Sequence, residues 1–244
     1  MKIGIISDIH SNSEAINSVL KNIKSVDEFI CLGDIVGYGA DPNYCIEKVK
    51  DINCRCIGGN HDFAVVGKLD INYFNYTARA AILWTSRQLK KENLNFLKNL
   101  EKRIELKDNV IAVHGSPRNP ILEYILDKNT ASVIFSNYNF KICFVGHSHL
   151  AGCFSFNEDT NQIDYINFSN GGCIEISKNK RYIINCGSVG QPRDGNPRAS
   201  YGIYDLKYNA VNIYRVSYPF NLTQGKIINA GLPRSLADRL SYGR

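Results

Sequence analysis

Side chains that bind divalent metals in proteins occur here in five short clusters, each of which directly follows an apolar run. The clusters are Ser7-Asp8-Ile9-His10, Gly33-Asp34, Gly59-Asn60-His61-Asp62, His114-Gly115 and Gly146-His147-Ser148-His149. All five histidines of the 244-residue chain lie in them, at positions 10, 61, 114, 147 and 149. One histidine near a strand end is more often a hydrogen-bonded structural residue than a ligand. That explanation does not account for all five, so a metal site is the favoured interpretation.

The mixture of donors indicates which metal chemistry to expect. Imidazole with carboxylate and amide oxygens, and without nearby thiolates, suits a hard or borderline divalent ion. Residues two apart in an extended strand point the same way, so Asp8 and His10 could present two donors to one region. The same spacing recurs at His147 and His149. If the strands are neighbours, the donors suffice for two ions bridged by a carboxylate, an arrangement that activates water for phosphoryl displacement.

Such convergence requires a scaffold that brings several strand ends to one edge. Strand patterns occupy residues 2–7, 27–32 and 54–57, and helical spacing of apolar residues follows the first two over 12–24 and 42–49. These β-loop-α units predict a parallel sheet with a crevice at the carboxyl ends of its strands. The polar clusters lie at those ends.

The rest of the chain is predicted to complete a single α/β domain over residues 1–244. The apolar spacing of an insertion at about 70–100 predicts two helices, which could form a helical cap over the crevice. A further apolar pattern covers 122–135. After residue 150, short strand candidates separated by turn residues indicate a second, mostly antiparallel sheet.

Composition limits the classes of partner. The formal charge of +6 mildly favours anionic ligands, but the basic residues are dispersed and match no helix-turn-helix, RRM or OB pattern. No segment has the apolar length of a membrane span, and no signal peptide is recognisable, so we expect a cytoplasmic protein without a membrane partner. The eight cysteines fall largely in strand patterns and are expected to be small buried hydrophobes.

Taken in order, the clusters resemble the five sequence blocks of the calcineurin-like metallophosphoesterases, over about the first 150 residues. The matching blocks are Asp8-x-His10, Gly33-Asp34-x-x-Gly37, Gly59-Asn60-His61-Asp62, His114-Gly115 and Gly146-His147-x-His149. The stretches 114–124 and 187–198 look like a prokaryotic subgroup of small stand-alone phosphoesterases. This resemblance implies a four-layer α-β-β-α sandwich, in which two packed mixed sheets are flanked by helices.

The resemblance also implies a binuclear centre with two divalent metal ions, drawn from Mn, Fe, Zn and Ni. Its ligands form two sets joined by a bridging carboxylate. One set is Asp8, His10 and His149, the other is Asn60, His114 and His147, and the bridge is Asp34. The ions would be bound at the predicted crevice.

Further residues receive roles from the same resemblance. His61 would be the general acid that protonates the leaving alkoxide, and Asp62 would orient it, with a loop cap as the alternative for Asp62. Arg118 could clamp a phosphate oxygen, the alternative being a solvated loop arginine. Arg193 and Arg198 are expected to pack over the sheet rather than to bind substrate.

The implied activity is hydrolysis of a phosphodiester or phosphomonoester by a metal-bridging hydroxide, acting on a small anionic phosphate ester such as a nucleotide. The alternative is a non-hydrolytic nucleotide- or metal-binding scaffold on the same fold. His61 and Asp62 argue against that alternative, because binding alone does not need an acid. The substrate, the native metal and the oligomeric state stay open at this stage.

Overall fold

Two six-stranded mixed sheets pack face to face in the computed structural model, which describes residues 1–244. With strands numbered in chain order, the first sheet runs β3 (Arg55–Cys56), β2 (Glu28–Cys31), β1 (Lys2–Ile6), β11 (Ala199–Asp205), β12 (Ala210–Val216) and β9 (Gly172–Glu175). The second runs β4 (Arg103–Leu106), β5 (Val110–Val113), β6 (Ile142–Val145), β10 (Lys180–Asn185), β7 (Gly152–Asn157) and β8 (Ile163–Asn167).

Helices cover the outer faces of both sheets, which confirms the predicted four-layer α-β-β-α sandwich. They are α1 (Ser13–Asn22), α2 (Pro42–Asp51), α3 (Asn60–Val65), α4 (Tyr76–Gln88), α5 (Lys91–Lys98), α6 (Lys128–Asn137), α7 (Phe220–Asn229) and α8 (Arg234–Asp238), with 3-10 turns at Ile71–Tyr73 and Arg239–Ser241. The longest helix has 13 residues, and none combines the length and apolar character that a membrane crossing requires.

Successive side chains of a strand point to opposite faces of its sheet, so apolar residues pack both between the two sheets and under the helices. Ile3 and Ile5 of β1 enter a core of 21 buried residues between the sheets, where they join Phe144 of β6. Ile6 faces outward and packs with Ile16 of α1 in a second core cluster. All eight cysteines are free thiols, and five of them are buried, as expected of small hydrophobes.

The strand directions bring the polar clusters to one edge. β1 pairs with β2 in parallel, and β2 pairs with β3 in parallel, as the β-loop-α units predict. In the second sheet β5 pairs with β6 in parallel, and β6 pairs with β10 in parallel. The segments after β1, β2, β3, β5 and β6 therefore leave their sheets on the same side of the sandwich and carry the predicted metal ligands.

The prediction that the strands after residue 150 form the second, mostly antiparallel sheet is wrong, because these strands are divided between both sheets. β11 pairs antiparallel with β1, and β12 and β9 extend that first sheet. β10 and β7 extend the second sheet beside β6. Unpaired edges of both sheets need hydrogen-bond partners, and a strand's hydropathy pattern does not say which edge it will join.

Two apolar patterns of the sequence differ in how closely the observed helices follow them. The 70–100 insertion forms α4 and α5, the two helices predicted there. The apolar pattern over 122–135 becomes helical only from Lys128, because the Asp127 side chain caps α6 by accepting from the Thr130 amide at 2.8 Å. The residues before Asp127 form a loop.

Candidate metal centre

The backbone is left-handed at five of the seven predicted ligands. These residues, with their φ angles, are Asp8 at 52°, His10 at 48°, Asp34 at 53°, His147 at 65° and His149 at 60°. Such conformations cost on the order of 1–3 kcal/mol each in residues other than glycine and persist where the surroundings impose them. The expectation that the pairs Asp8/His10 and His147/His149 lie in extended backbone is therefore wrong. Their side chains nevertheless converge.

One group of buried ligand atoms belongs to Asp8, His10, Asp34 and His149, whose donor atoms all lie within 4.8 Å of one another. His10 Nε2 lies 3.1 Å from His149 Nε2 and 3.6 Å from Asp34 Oδ2. His149 Nε2 lies 3.5 Å from Asp8 Oδ1. Asp8 Oδ2 is buried without a hydrogen-bond partner.

A second buried group consists of Asp34, His114 and His147. His114 Nε2 lies 3.2 Å from His147 Nδ1 and 3.5 Å from Asp34 Oδ2. Asn60 joins this group, since its Oδ1 lies 3.0 Å from His114 Nε2. Asp34 belongs to both groups, which is the position of a bridging ligand.

Backbone carbonyls fix the tautomers of three histidines. The Nδ1 atoms of these rings face carbonyls, with His10 on Val36 at 3.2 Å, His114 on Leu32 at 2.8 Å and His149 on Gln191 at 2.6 Å. A carbonyl can only accept, so each Nδ1 carries the proton and donates it. In the neutral rings the Nε2 lone pairs then point inward, and those of His10 and His149 face each other. A cation between them removes this repulsion, so the residues fit a metal.

Burial keeps most of these rings neutral. It lowers the pKa of His10 and His149 well below the usual value of histidine. Burial also lowers the pKa of His147 to about 3, and nearby His114 adds to this effect. Burial opposes a charge on His114 too, but Asp34 outweighs it and raises the pKa of His114 to about 9. Three of the four rings are thus unprotonated at neutral pH, as metal ligands must be.

His61 lies beside the ligand groups with its ring in an aromatic enclosure. The ring centroid is 4.9 Å from His10, 4.4 Å from Tyr38 and 5.1 Å from Phe74. The backbone amide of His61 donates to Asp34 Oδ1 at 2.8 Å, whereas its buried Nδ1 has no hydrogen-bond partner. The ring is therefore positioned by packing rather than by a polar partner.

Asp62 forms no hydrogen bond with the His61 ring. Its Oδ1 accepts from the Val36 amide at 3.1 Å, and its Oδ2 accepts from the Gly59 amide at 3.0 Å. Burial raises the pKa of Asp62 to about 7, and Asp34 adds to this effect. The orienting contact expected from the sequence is absent, and the contacts are those of the loop-cap alternative.

A cavity of about 370 Å³ opens beside the ligand groups. Its wall includes ligand residues, aromatic side chains and two arginines, namely Asp34, Tyr38, Asn60, His61, Tyr73, Phe74, Asn75, Ala78, Leu122, Tyr124, His147, His149, Arg193 and Arg239. The stretch from Tyr73 to Ala78, which belongs to the 70–100 insertion, therefore forms one side of the cavity.

The arginines differ from the sequence-based expectations. Arg118 does not line the cavity: it pairs with Glu123 through its Nε at 3.0 Å and is half-exposed. Arg193, expected only to pack, lines the cavity, whereas Arg198 is exposed. Arg239 also lines it and was missed, because nothing in the sequence near it marks a functional residue. Its Nη1 donates to Gln191 Oε1 across 48 positions of sequence.

Comparison with known proteins identifies the class. The model of the calcineurin-like phosphoesterase superfamily domain matches residues 1–209. An uncharacterized protein of Methanocaldococcus jannaschii is 45% identical over 249 residues, which cover 99% of this chain and 98% of that protein. The chain therefore belongs to the calcineurin-like phosphoesterase superfamily.

Solved structures agree with this assignment. A metallophosphoesterase from Sphaerobacter thermophilus is 42% identical and superposes with a TM-score of 0.88, covering 100% of both chains. A hypothetical protein from Pyrococcus horikoshii shares the fold at 19% identity, with a TM-score of 0.81 over 100% of this chain and 98% of that one. The similarity thus extends over the whole chain, including the residues after 209.

Proposed function

We propose that the protein is a phosphoesterase that hydrolyses phosphodiester or phosphomonoester bonds with two divalent metal ions. One ion would be held by Asp8, His10 and His149 together with Asp34. The observation that carries this proposal is the contact between His10 Nε2 and His149 Nε2 at 3.1 Å, where two neutral rings present lone pairs to each other. Membership of the phosphoesterase superfamily supports the same conclusion.

The second ion would be held by His114, His147, Asn60 and the shared Asp34. Divalent ions at such sites activate water and offset the negative charge of the phosphoryl group. The carbonyls that accept from the Nδ1 atoms of His10 and His114 keep the Nε2 atoms turned toward the centre. The protein's own contribution is thus a rigid set of donors, already oriented before substrate binds.

His61 would complete the machinery as the general acid. It lines the same cavity as Asp34, Asn60 and His147, so its ring can face an ester whose phosphoryl group lies at the ligand groups. A positioned acid of this kind contributes typically about 10²–10⁴-fold to the rate. Asp62 would support it indirectly, by holding the loops on either side of the site through the Val36 and Gly59 amides.

Turnover of chromogenic aryl esters tests the proposal. The purified protein should hydrolyse bis(4-nitrophenyl) phosphate, 4-nitrophenyl phosphate or both after manganese is added, and should lose this activity with a chelator. Asp34→Asn removes the charge that both ligand groups share and should lower turnover at least about 100-fold. Asp51→Asn, the same change at an exposed aspartate of α2, is the matched control and should retain full activity.

Two outcomes would contradict the proposal. Metal-dependent turnover that survives Asp34→Asn would remove Asp34 from the centre. Tight binding of nucleotides without hydrolysis of any ester, across manganese, iron, zinc and nickel, would instead favour the non-hydrolytic scaffold.

A further inference from the structure

Two arginines in the cavity wall have no acidic partner. Arg193 Nη2 donates to Gln191 Oε1 at 2.9 Å, and Arg239 Nη1 donates to the same oxygen at 3.1 Å. Neither guanidinium forms a salt bridge, and the Nε of Arg193 is buried without a hydrogen-bond partner. The two cations share this neutral oxygen, and Arg193 Nη2 also lies 3.5 Å from Tyr38 Oη, so the remaining Nη hydrogens can donate to an anion.

The surrounding structure holds this pair in place. Gln191 is 2% exposed, and its backbone carbonyl accepts from His149 Nδ1. Asp194, the residue after Arg193, forms two hydrogen bonds with Arg215, at 2.6 and 2.9 Å, and both side chains are 1% exposed. The loop that carries Arg193 is therefore rigid, and little conformational entropy would be lost when an anion binds.

The charges in the cavity exceed what one phosphate ester can balance. Besides its histidines, the wall holds one carboxylate, Asp34, and the guanidiniums of Arg193 and Arg239. Burial lowers the pKa of Arg239, and neighbouring Arg193 adds to this effect, so the two cations destabilise each other. Two divalent ions would add four positive charges, whereas Asp8 and Asp34 supply two negative ones. An attacking hydroxide and one phosphate monoester would supply three more negative charges, so one of the six positive charges would still be unbalanced.

Arg239 lies beyond the residues that the superfamily model matches. The superfamily model ends at residue 209, whereas Arg239 opens the last 3-10 turn, after α8. Leu236 and Leu240 on either side of it pack with Tyr38 in a buried cluster, which directs this turn toward the cavity. Arg239 thus reaches the cavity from a C-terminal segment that supplies none of the proposed metal ligands.

We propose that Arg193 and Arg239 form a second anion site, which binds an additional phosphate group of the substrate. This inference rests on the proposed phosphoesterase function, because the first phosphate would lie at the metal centre. The preferred substrates would then be phosphate esters with two phosphate groups, such as a nucleotide that is phosphorylated at two positions. Esters with a single phosphate would be poorer substrates.

Calorimetry with non-hydrolysable probes tests the site without relying on turnover. Ethylphosphonate is compared with methylene-, ethylene- and propylene-bisphosphonate on protein loaded with stoichiometric manganese. At least one bisphosphonate should bind about tenfold or more tightly than ethylphosphonate, since charge-assisted hydrogen bonds are gained at the second site. Arg239→Gln should reduce this preference to less than about threefold, whereas Arg239→Lys, which keeps the charge, should retain more of it.

A matched control is available on the neighbouring helix. Arg234 of α8 is 82% exposed and pairs with Asp238, so Arg234→Gln should leave the bisphosphonate preference unchanged. A further measurement is ethylphosphonate binding to metal-free protein. Without metal ions, the anion can bind only to protein groups such as Arg193 and Arg239 in the cavity wall. Ethylphosphonate binding there should weaken about tenfold in Arg239→Gln.

The outcomes separate this inference from the proposed function. Equal affinity of the wild type for mono- and bisphosphonates, or equal weakening of both by Arg239→Gln, would overturn the second site. Loss of ethylphosphonate binding by metal-free Arg234→Gln would also overturn it. A bisphosphonate preference that Arg239→Gln abolishes, in a protein that hydrolyses no ester, would support the anion site and remove the phosphoesterase function.

Discussion

His61 is subject to two opposing physical demands. The ring is 3% exposed, and burial lowers its pKa to about 4, although Asp34 opposes this shift. A general acid needs its proton near neutral pH. The negative charge of a bound phosphate ester favours the protonated form of a neighbouring imidazole, so substrate would oppose the effect of burial on His61. The aromatic enclosure of Tyr38 and Phe74 fixes the ring that donates the proton.

A leaving-group series tests this role of His61. His61→Gln should lower kcat by about 10²–10⁴-fold for an alkyl phosphate ester, whose alkoxide needs a proton to depart. The loss should be much smaller for a 4-nitrophenyl ester, because nitrophenolate leaves without protonation. Steady-state kinetics on both esters measure the two ratios. An equal loss on both esters would mean that His61 affects metal binding or the positioning of the substrate. The manganese content of the variant distinguishes these two explanations.

The loop between β2 and α2 brings its backbone close to the His61 ring at Gly37. Gly37 has a φ of 97°, and a Cβ at this position would lie 2.6 Å from Nδ1 of His61. Any larger residue would both strain the backbone and displace the His61 ring. Gly67 has a φ of 75°, but a Cβ there would meet nothing within 4 Å. A substitution at Gly67 would therefore strain only the backbone, whereas one at Gly37 would also displace the His61 ring.

This difference leads to a paired prediction. Gly37→Ala and Gly67→Ala should each destabilise the fold by on the order of 1 kcal/mol through the left-handed backbone. Only Gly37→Ala should also lower ester turnover, by at least about tenfold, since it moves His61. Thermal unfolding and kcat/KM of both variants check this. A Gly37→Ala variant that is destabilised but as active as Gly67→Ala would show that the ring position is unimportant.

The same loops show what the sequence could predict about the site. The residue types indicated a metal site, and the resemblance to the phosphoesterase family implied that Asp8, His10 and Asp34 are neighbours in space, as the structure shows. Their left-handed backbone was not predictable, because φ is imposed by contacts with distant segments, such as the Gly190 amide that donates to the Asp8 carbonyl at 2.9 Å. Arg118 was misjudged for a related reason, since Glu123 is its partner only in the folded loop.

In the whole molecule, each ligand group joins the two sheets. His149 follows β6 of the second sheet, whereas Asp8, His10 and Asp34 follow strands of the first. The other group likewise combines Asp34 with His114 of the second sheet. An ion bound at either group would therefore cross-link the two halves of the sandwich, and its binding energy would add to the stability of the fold.

Metal removal should accordingly lower the melting temperature. At a concentration of metal about 100 times the dissociation constant, one site adds about 2.7 kcal/mol. For a chain of this size that corresponds to roughly 5–10 °C. Calorimetry with manganese and then with a chelator measures the shift, which Asp34→Asn should largely remove and Asp51→Asn should retain. An unchanged melting temperature would contradict metal binding between the sheets.

At this scale the fold class was predictable, whereas the assembly of the chain was not. Three β-loop-α units with apolar strands specify parallel pairing of β1, β2 and β3, because each crossover helix places the next strand in the same direction. The return of β11 to the edge of β1 depends on long-range pairing that no local pattern encodes. The return of Arg239 to the cavity depends in turn on packing of the C-terminal helices around Tyr38.

Anomalous diffraction from crystals grown with manganese tests the central claim most directly. The account predicts two strong peaks: one lies among Asp8, His10, Asp34 and His149, and the other among Asp34, Asn60, His114 and His147. Both peaks should be absent from Asp34→Asn crystals or much weaker there. A single peak away from Asp34, or no peak near these residues in the presence of excess manganese, would contradict a binuclear centre in this protein.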